Sequence, residues 1–109
     1  MYDFLDAIDP PEGFSAHLAA CEVEHGPVTD DERALVLGLA KHLWSRDRYI
    51  KVRSSLYDTK RAIEAVDPES PRLTGIAESI ARFQAEVEAA KKAASGARAD
   101  LRRIRNQQA

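Results

Sequence analysis

Ten apolar or small residues, Leu73, Ile76, Ile80, Phe83, Val87, Ala90, Ala94, Ala97, Leu101 and Ile104, follow one another at gaps that alternate 3 and 4 without a break. A strand cannot use that spacing, because its side chains repeat every second residue. A helix can, and a heptad seam of this length demands a partner along the whole helix.

The partner lies in the same chain. Thr29 and Glu32 form a capping box, in which the hydroxyl accepts from the backbone of residue 32 and the carboxylate reaches back to residue 29. Asp30 and Asp31 suit the positive end of a helix that starts there. No proline follows until Pro68, and Gly38 weakens the pattern only locally. The sequence therefore predicts a helix over about 30–66, roughly 55 Å long at ~1.5 Å per residue. Asp67 to Pro71 reads as a turn. Ser70 or Asp67 would cap a last helix over about 71–105, with Pro68 or Pro71 in its first turn. Two helices of like length joined by a short turn lie antiparallel. The register then pairs Val66 with Leu73, Ile63 with Ile76, Thr59 with Ile80, Leu56 with Phe83 and Val52 with Val87. Further along it pairs Tyr49 with Ala90, Ser45 with Ala94, His42 with Ala97, Gly38 with Leu101 and Leu35 with Ile104. Large residues meet small ones, as a filled core requires.

Upstream, Asp9 followed by Pro10 and Pro11 is a helix start. A helix over about 10–25 would place Phe14, Leu18, Cys21 and His25 on one face, with Gly26 and Pro27 ending it. The expected fold is all-α: one domain holding a long antiparallel helical hairpin, a coiled coil, with a short N-terminal helix packed on it. Eighteen alanines against five prolines agree with that. No apolar run approaches 18 residues, so no membrane span is expected. The N-terminus carries Asp3, Asp6 and Asp9 and no base, unlike a secretory signal. The single cysteine, Cys21, fits a reducing compartment, either the cytoplasm or a particle assembled inside a cell.

Charge is segregated. Residues 1–32 hold nine acids and no base, while the rest of the chain holds nine acids and all sixteen bases. Residues 1–9 alternate acidic and apolar side chains. They read as a strap on the chain's own body or as a partner-docking motif.

Helix 30–66 carries more apolar surface than one partner covers. Val36, Leu43, Ile50 and Tyr57 recur every seven residues off the first seam, with Leu37, Leu39 and Trp44 beside them. Helix 10–25 would cover part of this stripe. It is too short to reach Tyr57, so Val36, Leu43, Trp44, Ile50 and Tyr57 are the expected contact residues for a protein partner or a second copy. A basic edge is expected from Arg46, Arg53 and Lys60 on one helix and Lys91 and Arg98 on the other. Arg46 would face Lys91 with no acid opposite. The acidic arm, an acidic protein or nucleic-acid phosphate could neutralise that edge.

Signals for chemistry are weak. His17, Cys21 and His25, spaced four apart, could share a metal with His42 only in pairs, since the outer two are ~12 Å apart along a helix. A buried cysteine is more simply a small core residue. The five glycines are scattered, which leaves no phosphate-cradling loop, and Ser45, Ser54 and Ser55 lie mid-helix without the strained turn of a nucleophile. Ala77, Ala81, Ala85, Ala89, Ala93 and Ala97 recur every four residues, which favours helix formation and would permit close approach of another helix. The expectation is a non-enzymatic protein that acts through protein–protein contacts, as an assembly, adaptor or inhibitory module. It has no cofactor and no small-molecule substrate. A nucleic-acid-associated accessory protein using the basic edge is the alternative, and a metal-binding bundle the third reading.

Overall fold

The computed structural model describes residues 11–108 and contains three helices: α1 (Pro11–His25), α2 (Asp30–Val66) and α3 (Arg72–Gln108). The long helices α2 and α3 pack along each other as a hairpin and α1 lies on α2, giving a rod of 61 × 25 × 24 Å. The acidic strap expected over 1–9 lies outside the described residues.

The helix ends form as their sequences dictate. Thr29 caps α2 through the full capping box: Glu32 N donates to Thr29 Oγ1 at 3.1 Å, and Thr29 N donates to Glu32 Oε2 at 3.1 Å. Gly26 ends α1 at φ +55, a left-handed conformation that glycine adopts without a Cβ penalty, and its N–H donates to Glu22 O at 2.8 Å. In the turn, Asp67 caps the end of α2. Ser70 Oγ accepts from Arg72 N at 3.3 Å, so serine rather than Asp67 caps α3. The last helix continues through Gln108, three residues past the expected end.

The heptad seam is the core of the hairpin. Ile80, Phe83, Val87, Ala90, Ala94 and Leu101 are buried, and Leu73, Ile76, Ala97 and Ile104 are half-buried. On α2 the picture differs from the expected pairing in three places. Val66 is 87% exposed, so it makes no pair with Leu73; the hairpin closes first at Ile63. The Tyr49 ring lies 5.9 Å from Phe83 rather than over Ala90 alone. At the α1 end, the deepest residues are Val36, Leu39, Ala40 and Leu43, while Leu35, Gly38, His42 and Ser45 are only half-buried. The reason is geometric: where three helices meet, the line of α2 that faces both neighbours is covered most completely. There Phe14, Leu18 and Cys21 of α1 join Val36, Leu39, Leu43, Ala94 and Leu101 in one cluster.

One close approach seats α1. A Cβ on Gly13 would sit 3.1 Å from the Cη2 of Trp44, so the absence of a side chain lets α1 lie against the indole. Phe14 meets that indole edge-on at 5.6 Å, and His17 lies 5.5 Å from it.

Candidate functional site

The length of α1 divides the rod into two ends. Fifteen residues span ~22 Å, less than half of the 37-residue α2. The start of α1 sits at Trp44, and its end reaches the start of α2.

The proximal end is closed by a polar clamp. The Glu32 carboxylate is almost fully buried and accepts three hydrogen bonds, two from the 26–29 loop and one from α3. Val28 N donates at 2.7 Å, Thr29 N at 3.1 Å and Arg105 Nε at 3.1 Å, and the Glu32 N–H returns to Thr29. The same Arg105 guanidinium donates to the carbonyl of His25. One arginine on the last turns of α3 thus ties together the end of α1, the 26–29 loop and the start of α2. The backbone donors of Val28 and Thr29, and then Arg105, hold the Glu32 carboxyl below the ordinary carboxylate range. The capping box was legible in the sequence, but its partner 73 residues away was not.

The histidine and cysteine residues do not assemble. His17 Nε2 donates to Ala40 O at 3.0 Å, so that nitrogen carries a proton and is spent on the backbone. Cys21 Sγ lies 3.8 Å from the same nitrogen and is buried at 4% exposure. Burial and then Glu24 push its thiol up, and Arg98 partly offsets them. His25 sits at the other end of α1, with Nε2 4.0 Å from Glu24. Among the described residues no three His, Cys, Asp or Glu side chains come together.

The basic edge is corrected. Arg46 Nη2 pairs with Asp47 at 2.9 Å, Lys60 with Glu64 at 3.4 Å and Lys91 with Glu88 at 3.4 Å. Three of the five cations thus have acids one to four residues away on their own helix, which pairing across the hairpin does not reveal. Arg53 is half-buried on the flank, and Arg98 lines a concavity at the proximal end.

The apolar stripe is split. Val36 and Leu43 are buried under α1, and Trp44 is packed against Phe14 and His17. Val36 and Leu43 are therefore core, and Trp44 is half-buried beside them. Ile50 is half-buried at the border, and Tyr57 is 39% exposed. The distal end also carries a depression lined by Thr59, Ala62, Ile63, Val66, Asp67, Ser70 and Arg72, on the side of α2 away from Tyr57. Ile63 and Val66 are absent from the expected contact set because the heptad pairing places them in the hairpin's own seam. Among the described residues, no third helix covers this distal end, and no helix is long and apolar enough to cross a membrane. No protein-family model, curated protein or solved structure matches the chain.

Proposed function

We propose that the protein is a non-enzymatic assembly module that works by protein–protein contact, with its distal hairpin end as the contact surface. The observation that carries this is the distal half of α2, which α1 does not reach and where Tyr57 on one flank and Val66 on the other are 39% and 87% exposed. A two-helix end has no third layer to shield its seam. Two such ends packed together form a four-helix layer of the usual bundle kind. The partner that fits best is therefore a second copy of the chain. Charge does not oppose it: residues 56–83 carry five acids and four bases, so like meets like without strong repulsion. The single cysteine supports a cytoplasmic site of action.

Sedimentation equilibrium tests this directly. The wild-type chain should show a concentration-dependent mass above 12.1 kDa. Tyr57→Glu with Val66→Glu should give a monomer with unchanged helicity. A wild type that remains monomeric at several hundred micromolar would remove the self-association reading.

A further inference from the structure

The proximal end carries a second feature that the contact function does not use. After Glu88 the described chain holds six bases, Lys91, Lys92, Arg98, Arg102, Arg103 and Arg105, against one acid, Asp100. Three of these arginines stand at 98, 102 and 105, a spacing that puts them on one face of α3. That face borders a concavity of about 370 Å³ lined by His25, Arg98, Leu101, Arg102, Arg105 and Asn106. Every polar side chain in the lining can donate a hydrogen bond, and none is a carboxylate. An adjoining depression shares Arg102 and Asn106 and adds Ala99, Arg103 and Gln107, again without an acid.

Helix-end electrostatics account for only part of this charge. A helix C-terminus carries about half a negative charge. The ends of α1 and α3 lie here beside the start of α2, which carries about half a positive charge, so together they call for less than about one cation. Arg103 is answered by Asp100 at 3.0 Å and Arg105 by Glu32 at 3.1 Å. Glu24, 4.0 Å from His25, faces that ring rather than an arginine. Arg98 and Arg102 form no ion pair among the described residues, although they stand four apart on one helix, where like charges repel. Arg105 is also pre-organised. Two of its five N–H groups are spent on Glu32 and on His25 O, which fixes the guanidinium plane and leaves three donors.

We infer that the concavity between the end of α1 and residues 98–106 of α3 binds a phosphate group, held by Arg98 and Arg102 and oriented by the anchored Arg105. Guanidinium forks match the oxygens of a phosphate in pairs, and the fixed one sets the geometry. The site places an anion at the proximal end and shares only Arg98 with the basic edge read from the sequence. The phosphate can belong to a small phosphorylated molecule or to a nucleic-acid backbone.

The test uses the full chain at constant ionic strength, with inorganic phosphate as probe and the arginine Nε–H resonances as readout. Phosphate should shift the signals of Arg98, Arg102 and Arg105 in a saturable way. Arg98→Gln with Arg102→Gln should weaken binding at least tenfold. Arg103→Gln, which touches only the adjoining depression, should change it less than twofold. Circular dichroism should be the same in all three proteins, because these side chains are exposed. A twelve-base-pair duplex separates the sources. If it competes with phosphate for the same arginines and binds more tightly, the ligand is a nucleic-acid backbone; if it fails to compete, the ligand is a small phosphorylated molecule. Shifts that chloride reproduces at equal ionic strength, or a double variant that binds as well as wild type, would overturn the site.

Discussion

Phe83→Ala is the sharpest probe of the hairpin. Phe83 lies mid-seam on α3, 7% exposed, with the Tyr49 ring at 5.9 Å and the Arg82 guanidinium 4.8 Å above its face. Burying the ring contributes about 2–3 kcal/mol. The aromatic pair adds about 0.5–1 kcal/mol and the exposed cation–π contact about 0.5 kcal/mol. The total of about 3–4.5 kcal/mol falls inside the range of about 3–5 kcal/mol usual for such truncations. The lower half of that range is expected, because this part of the rod is only two helices thick and can collapse toward the gap. A chain of this size has about 5–15 kcal/mol in all, so the variant stays folded but much weakened. With a urea slope near 1.5 kcal/mol/M, the midpoint should fall by about 2 M, followed by helicity. Val66→Ala is the control: at 87% exposure it should cost under about 0.5 kcal/mol. If Phe83→Ala costs less than about 1 kcal/mol, or Val66→Ala costs as much, the seam does not hold the hairpin together.

Three further perturbations address the proximal end. Gly13→Leu should cost about 1–3 kcal/mol by overpacking and red-shift the emission of Trp44, the one tryptophan, because the new side chain starts 3.1 Å from the indole. Glu32 has a lowered pKa, so its contribution is fully present above the unfolded value of about 4.3 and is lost as pH falls through the lower folded value; Glu32→Gln should flatten the urea midpoint between pH 5 and 2 relative to wild type. The Cys21 thiol, buried and raised, should react with a thiol reagent only at the rate at which the α1 cluster opens, and Gly13→Leu should accelerate it.

The fold was legible where local signals agreed with one another. The heptad seam, the Thr29–Glu32 box and Gly26 each specify a conformation within a few residues, and each formed as read. Contacts that join distant segments were less legible. Nothing near Glu32 announces Arg105, and an arginine in a C-terminal run reads as helix-end complementation. The unpaired edge was misread for a related reason. Pairing across the hairpin leaves its cations without acids, while Asp47, Glu64 and Glu88 neutralise Arg46, Lys60 and Lys91 along each helix. The apolar stripe was correctly seen to need a second partner. Only the seating of Gly13 against Trp44 shows how far along the stripe that partner reaches.

That seating point carries the functional argument further. Sequence alone places α1 beside α2 but allows it to slide by a helical turn, about 5.4 Å. Gly13 and the ring cluster of Phe14, His17 and Trp44 fix one end of α1, and the Arg105 clamp on the His25 carbonyl fixes the other. Held at both ends, α1 cannot travel toward Tyr57 without losing a packed indole and a buried charge-assisted contact. The exposed distal end is thus a consequence of where α1 is anchored. Among the described residues nothing else covers it, and α2 and α3 of another copy fit it best. The same anchoring leaves Arg98 and Arg102 beside a concavity whose third arginine is already held in place. One short helix therefore determines both surfaces: it stops short of the distal seam, and its end forms one wall of the anion site.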